Sequence, residues 1–487
     1  MVTTPGDILY FVAQTFMLVY AVTLSFGYLF LAVLSAWEMR EHIFKNRFID
    51  YDYILSSPFA PGVSLIAPAY NEGLTIIDNI KSLLSIMYNN FEVIVINDGS
   101  KDDTLEKMIS AFGLVRVDYD LRNALDTKPV RGVYKSTNRA FKKLIVIDKV
   151  NGGKADALNV GLNVSNKELV ACIDVDCIIE PDALLKMVKP FLENPTEVIA
   201  SGGVVRIANS CVVEEGRLVE VRLPEKLIAR FQVLEYIRAF LLGRMAWSRL
   251  NGLLLISGAF GLFKRDIAVK AGGYNHKTVG EDMELVMKMR IYMQEQNRKY
   301  KVAFIPDPLC WTEAPAHYNI LQRQRNRWAR GTYECLKIHR KIFFNPKYGV
   351  MGMVSYPFWF FFEWLAPIIE FAGFLLFVGL AIVGMIDWMF FFLILGSGYA
   401  FSVFISMFAL LTEEMSFFKY TQKRDILKMI LTAMIEPFWF HPRVVWWSLQ
   451  GNLDLIKGKK TWGEMTREGF VQYRTKEKIV TPQQQVA

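Results

Sequence analysis

Apolar residues follow two different rhythms along this chain. Residues 8–36 contain no charged side chain, and at about 1.5 Å per residue such a helix outruns a hydrocarbon core of ~30 Å. The run is too long for the apolar part of a signal peptide and has no basic residue ahead of it, so it predicts a transmembrane helix over 1–38. Arg40, Lys45 and Arg47 follow, which places the next segment in the cytoplasm. From about 50 to 345 short apolar runs alternate with amphipathic stretches, and none is long enough to span. This predicts one cytoplasmic globular domain. Beyond residue 350 the membrane pattern returns, through 364–386 and the uncharged 388–411. Glu370 falls inside the first of these; Glu363, two turns earlier on the same face, sits either beside it or at the interface. The last apolar stretch, 426–450, is interrupted by Glu436-Pro437 and His441-Pro442 and is basic on both flanks. A broken hairpin on the cytoplasmic side satisfies both flanks. Residues 350–455 are therefore expected to be transmembrane or interfacial helices, and 456–487 a polar cytoplasmic tail.

Within the soluble stretch the pattern is that of an α/β fold. Val63–Ala69 is an apolar run that leads through Pro68 and Tyr70 into Asn71-Glu72-Gly73 and an amphipathic helix. Phe91–Asn97 is a second buried run ending in Asp98-Gly99-Ser100, with another helix signal after it. Strand, helix, strand with polar residues at the strand ends predicts a parallel sheet with a ligand crevice at its carboxyl edge. No Gly-x-Gly-x-x-Gly or Walker-type loop is present to make it a dinucleotide or nucleoside-triphosphate fold.

Composition narrows the classes further. Of 487 residues, 52 % are hydrophobic, 14 % aromatic and 21 % charged, which excludes a disordered chain. The net charge of +8 suits an anionic lipid surface or a phosphorylated substrate. The basic residues form no dense patch interleaved with aromatics, so nucleic acid is not an expected partner. Five cysteines are too few, and odd in number, for a disulfide framework.

Several polar clusters fall at predicted strand ends. Asn151-Gly-Gly-Lys154 offers close backbone approach and a cation. Leu169–Ile173 leads into Asp174-Val-Asp176; strand alternation puts both carboxylates on one face, and like charges side by side call for a cation such as Mg2+ or Mn2+. Cys172 and Cys177 beside them read as packing residues, since their spacing is poor for zinc. Small residues surround an aromatic at Gly258-Ala259-Phe260. Gly280-Glu281-Asp282 opens a helix; Asp282 there serves either the helix dipole or as a general base. In Gln324-x-x-Arg327-Trp328, helical spacing puts all three side chains on one face. There Arg327 offers a diphosphate a fork of donors.

In this order, these motifs resemble the membrane-embedded, processive family 2 glycosyltransferases, the group that includes cellulose, chitin, hyaluronan and poly-N-acetylglucosamine synthases. The resemblance runs from Asp98 to Trp328, ahead of a membrane region. It departs at Gly280, where many members have Thr, and in the longer stretch 113–147. It implies a GT-A-type domain inserted between transmembrane helices of a multi-pass protein of the cell (inner) membrane. The implied donor is a UDP-sugar, UDP-N-acetylglucosamine or UDP-glucose, and the acceptor a polysaccharide or glycolipid. Accessory secretion subunits are compatible with it. By the same resemblance Pro68, Tyr70, Glu72, Asp98, Lys154, Asp174, Gln324 and Arg327 bind the nucleotide-sugar, and Asp176 holds Mg2+ or Mn2+. Asp282 is the base of an inverting transfer, and Gly258, Ala259, Phe260 and Trp328 meet the acceptor. A nonprocessive enzyme adding one sugar to a lipid would share the three carboxylates. A transporter whose soluble domain only senses nucleotide-sugar would not require Asp282.

Overall fold

The computed structural model describes residues 5–459, except Phe48, Leu121, Arg122, Glu215, Phe418 and Thr421, together with the short strand Val471–Gln472. Most of the tail expected at 456–487 therefore lies outside the described residues.

The chain enters through one long helix, α1 (Pro5–Asn46), followed by the short α2 (Tyr51–Ser56). The first half of the sheet follows in order: β1 (Val63–Ala69), α3 (Ile76–Leu84), β2 (Phe91–Asn97), α4 (Thr104–Phe112), β3 (Leu114–Val117), β4 (Val130–Ser136) and β5 (Leu144–Lys149). Next come α5 (Lys154–Val164), β6 (Leu169–Ile173), β7 (Ile178–Ile179), α6 (Ala183–Glu193) and β8 (Val198–Ile207). A small hairpin, β9 (Val212–Glu214) and β10 (Arg217–Glu220), leads to α7 (Leu227–Ile237), a π-helical stretch Arg238–Arg244 and α8 (Met245–Arg249). The domain closes with β11 (Phe260–Lys264), α9 (Arg265–Lys270), α10 (Glu281–Glu295), β12 (Lys301–Thr312) and α11 (Tyr318–Ile338). After α12 (Tyr356–Phe358), flanked by two π-helical turns, come α13 (Ala366–Ile382), α14 (Trp388–Ser416), α15 (Lys423–Trp439) and α16 (His441–Ile456). Val471–Gln472, β13, pairs with β9.

Ten strands form one sheet in the order β3-β4-β5-β2-β1-β6-β11-β8-β12-β7. Most run one way; β4, β11 and β7 run against the rest. The central strands are buried on both faces, with Leu65, Ile66, Val93, Ile94, Val146 and Ala171 fully covered. That explains their unbroken apolar runs, since helices cover both sides of a parallel sheet. The antiparallel strand β11 matters most for the site. Its first residue, Phe260, lies opposite Ile173, the last of β6. The loop entering β11 therefore lies at the same sheet edge as the loops leaving β1, β2, β5 and β6.

Two helices, Tyr10–Asn46 and Trp388–Ser416, are long and apolar enough to cross a membrane. A third crossing would require the pair Met351–Trp364 and Ala366–Ile382, which meet at a bend of 41°. Both acids in that region have partners: Tyr28 donates to Glu363 (3.1 Å) and His441 pairs with Glu370 (2.8 Å). In the last apolar stretch the break falls at Phe440, between α15 and α16. Pro437 lies inside α15 and does not interrupt it. Proline is accommodated at the second position of α16, as Pro442, where its missing N–H leaves no bond unmade.

Ion pairs tie the membrane helices to the sheet domain. Arg206 of β8 pairs with Glu413 of α14, both buried. Arg238 pairs with Glu436 of α15 at 3.0 Å and donates to Ser406 of α14 at 2.8 Å. Arg249 of α8 pairs with Glu38 and Glu41 of α1, at 2.7 and 2.9 Å. His42 of α1 meets Asp307 at 2.8 Å, and burial there is outweighed by His42 and Lys186, which hold the Asp307 carboxyl down at about 2. Removing one member of a buried pair strands the other charge. Glu413→Ala should cost about 3–5 kcal/mol, read as a lower unfolding midpoint of the purified protein in detergent. An unchanged midpoint would show that Arg206 finds water or another partner.

Candidate functional site

Five loops converge on the carboxyl edge of the sheet. The first two are stitched together by side chains. Asn71, at φ 55°, donates its N–H to Ser100 Oγ and accepts from the Lys101 N–H. The Glu72 N–H donates to Thr104 Oγ1 (3.0 Å) and the Gly73 N–H to Asp102 (3.1 Å). Pro68 is half-buried at the end of β1, beyond the last β1–β6 pair, Ile66↔Cys172. Tyr70 follows with its ring 45 % exposed, so it offers a flat face at the crevice rim.

Asp98 is buried and fully engaged by the chain itself. Lys149 Nζ lies 2.5 Å from Oδ1, the Gly152 N–H donates to Oδ1 (2.9 Å) and the Gly153 N–H to Oδ2 (2.8 Å). The same Lys149, completely buried, also meets Asp156 at 2.7 Å. Asp98 thus shapes the Gly152-Gly153 loop that delivers Lys154. Gly153 has φ 86°, a left-handed conformation that glycine adopts without strain. Lys149 and Asp156 did not stand out in the sequence. One reads as a strand end and the other as a first-turn helix acid, and only the parallel pairing Asn97↔Asp148 brings them to Asp98.

Lys154, the first residue of α5, is the hub of the site. Its ammonium contacts Asp174 and lies 3.8 Å from Glu281. Burial alone would lower its pKa, but Asp174 and Glu281 override this and raise it above the usual lysine value. Asp282 is fixed by two backbone donors, the Met283 N–H to Oδ1 (2.8 Å) and the Gly258 N–H to Oδ2 (3.1 Å). A Cβ on Gly258 would stand 3.1 Å from Lys154 Nζ and 3.5 Å from Asp282 Oδ2, so glycine is what lets the loop pass between them. Burial, with the Asp282 charge beside it, raises the Glu281 carboxyl against the opposing pull of Lys154 and Arg327.

The Asp-x-Asp pair is arranged differently from the strand alternation expected. β6 ends at Ile173, and a turn closed by the Cys177 N–H on the Asp174 carbonyl (3.0 Å) carries both acids. Val175 between them is buried while Asp174 and Asp176 are half-exposed. Ligand atoms of Asp174, Asp176 and Cys177 all lie within 4.8 Å of one another. The Cys177 thiol is held well above its usual pKa by its hydrogen bond with Cys310 and by burial, so it stays protonated and the donors that remain are carboxylate oxygens. That set fits a hard divalent ion such as Mg2+ or Mn2+. All five cysteines are free and buried.

Helix α11 supplies the far wall. Gln322, Asn326 and Arg330 form one face, bonded to Gln450 (2.7 Å), Asp454 (3.0 Å) and the Lys459 carbonyl (2.7 Å). Gln324, Arg327 and Trp328 lie on the other. Arg325, passed over in the sequence as an ordinary basic residue, is buried, pairs with Glu235 (2.6 Å) and stacks 4.1 Å over the Trp328 ring. Trp328 remains 39 % exposed. Ala259 is almost covered. Phe260, expected at the acceptor end, is wholly buried in the sheet core, because a strand's first residue opposite Ile173 points into the layer beneath. Gly258 is the member of that group that reaches the crevice.

An edge crevice with a cation among carboxylates, on a sheet of this topology, defines a GT-A-type nucleotide-sugar transferase fold. Comparison agrees. The model for glycosyl transferase family 2 matches residues 64–249, and that for glycosyl transferase family group 2 matches residues 169–405. The two models overlap and together span residues 64–405, so the chain carries a family 2 glycosyltransferase domain. It is 30 % identical over 275 residues to a poly-β-1,6-N-acetyl-D-glucosamine synthase of Staphylococcus epidermidis, 56 % of this chain and 55 % of that protein. It is 29 % identical over 303 residues to the synthase of the same name from Staphylococcus aureus strain COL, 61 % of this chain and 60 % of that protein. The match thus spans little more than half the length of these relatives. Among solved structures, a Pyrobaculum calidifontis mannosyltransferase in complex with GDP-Man and Mn2+ superposes with a TM-score of 0.51. Its identity is 15 %, over 91 % of this chain and 99 % of that one, and it shares the fold.

The glycine at 280, unusual for the family it resembles, has a packing reason. A Cβ there would lie 3.0 Å from the Gly331 carbonyl oxygen and 3.0 Å from Cys335 Sγ. The start of α10 and the middle of α11 therefore touch backbone to backbone. Gly280→Thr should force them apart, costing about 1–3 kcal/mol by overpacking and lowering turnover. A thermal melt beside an activity assay checks both, and a fully active, equally stable variant would overturn the packing account.

Proposed function

We propose that this chain transfers sugar from a UDP-sugar to a growing polysaccharide, with inversion at the anomeric carbon, and feeds the product across the membrane. The donor is UDP-N-acetylglucosamine or UDP-glucose; the naming of the staphylococcal relatives favours N-acetylglucosamine. The observation that carries this reading is the convergence of Asp174, Asp282 and Lys154 at one sheet edge, with Trp328 on a helix whose opposite face is bonded to α16.

In this reading the soluble domain, about 50–345, faces the cytoplasm and α1 and the helices after 350 anchor it. Pro68, Tyr70 and Glu72 border the base of the nucleotide, with Tyr70 supplying a stacking face, and Asp98 shapes the Gly152-Gly153 loop beside it. Asp174 and Asp176 would hold Mg2+ or Mn2+, which when bound supplies Lewis-acid neutralisation of the departing diphosphate. Gln324 and Arg327 orient that diphosphate through fixed donors. Asp282 takes the proton from the acceptor hydroxyl. Its two backbone N–H partners hold both carboxylate oxygens in place and leave lone pairs for the proton. Trp328 stacks on the acceptor sugar. Accessory secretion subunits are compatible with the arrangement.

Asp282→Asn keeps the shape and removes the proton acceptor. UDP binding should survive while transfer falls by about 10²–10⁴; turnover near wild type would reduce Asp282 to a helix-start charge. Asp176→Asn should abolish cation-dependent UDP release, and full wild-type activity in excess chelator would sink the metal assignment. Export is tested in sealed vesicles with the soluble domain outward, supplied with UDP-sugar from outside. The expected product is polymer inside the vesicle, protected from added glycosidase. Product that is fully digested, or a glycolipid carrying one sugar, would replace this reading with a nonprocessive transferase.

A further inference from the structure

From Arg238 to Arg249 the chain carries three arginines, and two of them have acidic partners. Arg238 pairs with Glu436 and Arg249 with Glu38 and Glu41. Both buttress the membrane helices. Arg244 ends the π-helical stretch, a rare geometry that is frequent at functional sites. Its guanidinium lies 3.9 Å over the Phe240 ring, and its Nη1 is buried with no hydrogen-bond partner among the described residues. A buried, unbonded donor of a charged group is costly. A partner that arrives with a ligand would remove that cost.

Packed side chains connect Arg244 to the loop before β11. Phe240 stacks on Phe304 with ring centroids 6.2 Å apart. Phe304 and Ile256 both crowd Gly202, where a Cβ would meet them at 3.3 and 3.1 Å. Ile256 is two residues from Gly258, whose N–H holds Asp282. Burial lowers the Arg244 pKa to about 10, and the first opposing charge is that of Asp282. Two neighbouring residues of α7 reach toward both groups. Glu235 holds the Arg325–Trp328 stack, and the Tyr236 ring contacts Phe240 at 5.6 Å.

We infer that Arg244 binds the terminal sugar of the acceptor chain, presenting it to Asp282; the inference rests on the transferase reading above. A guanidinium only donates, so its ligand must offer oxygens. The sugar hydroxyl and carbonyl oxygens next to the reacting hydroxyl answer that need. Arg244 is thus an acceptor-positioning residue.

The test uses the full chain in detergent with a β-1,6-linked N-acetylglucosamine oligosaccharide as acceptor, comparing wild type, Arg244→Gln and Arg244→Lys. Calorimetry measures binding of oligosaccharide and of UDP separately; steady-state kinetics give the acceptor KM and kcat, and a melt checks folding. The expected result for Arg244→Gln is oligosaccharide affinity weaker by about ten- to hundredfold, the loss of one charge-assisted hydrogen bond. The acceptor KM should rise in parallel while UDP affinity stays unchanged. Arg244→Lys should fall between the two. An Arg244→Gln chain that binds the oligosaccharide as wild type does overturns the inference alone. So does one whose UDP affinity collapses, because the ligand is then the diphosphate. A wild-type chain that neither binds nor extends the oligosaccharide, with any UDP-sugar, overturns the transferase reading and this inference together.

Discussion

A single ammonium lets the site exist. Asp174, Glu281 and Asp282 come from two separate elements and converge in a crevice where their mutual repulsion opposes folding. Lys154 contacts the first, approaches the second and is felt by the third. Its own position depends on a second buried lysine. Lys149 neutralises Asp98 and Asp156, and Asp98 accepts the two glycine N–H groups that turn the chain into α5. Two lysines placed before and after one glycine pair thus permit five carboxylates within two loops' reach.

The sheet supplies the geometry that this charge arrangement needs. In a wholly parallel sheet, the segment before β11 would lie at the amino edge, away from Asp174. Because β11 runs antiparallel between β6 and β8, its leading loop is at the carboxyl edge, and Gly258 can donate to Asp282. The docking ion pairs sit on β8, on the π-helical stretch, on α8 and on β12, and so attach the flanking helices around this half of the sheet rather than around β3 to β5.

Much of this was legible in the sequence wherever the signal is local. The apolar runs of β1, β2, β5 and β6, the uncharged lengths of α1 and α14, and the i, i+3, i+4 spacing of Gln324, Arg327 and Trp328 each follow from one short window. The departures come from contacts between windows. Asp98 reads as a turn acid available to a ligand until Lys149 arrives from the neighbouring strand. Phe260 reads as an aromatic near the site until the pairing with Ile173 turns it inward. Asp174 and Asp176 do face one crevice, but through a turn that strand alternation does not describe. Pro437 reads as a helix breaker, yet α15 accommodates it and the chain breaks three residues later, at Phe440. Arg325 and Arg244 are two basic residues among 56, and only the aromatic rings they lie over, Trp328 and Phe240, distinguish them.

Helix α11 links the crevice to α16, and its two faces explain how. Gln322, Asn326 and Arg330 recur at one turn's spacing and bond to α16 and the residues just after it, so close that a Cβ on Gly451 would lie 2.7 Å from the Asn326 carbonyl oxygen. The residues out of phase with them, Gln324, Arg327 and Trp328, are left to the crevice. Small displacements of α16 must therefore move the Trp328 face of α11, because no loop lies between the two to absorb them. The backbone contact of Gly280 with Gly331 carries the same displacement to the first turn of α10, where Asp282 sits. A helix pair joined by polar bonds on one side and glycine contact on the other makes the position of Asp282 and the position of α16 a single mechanical variable.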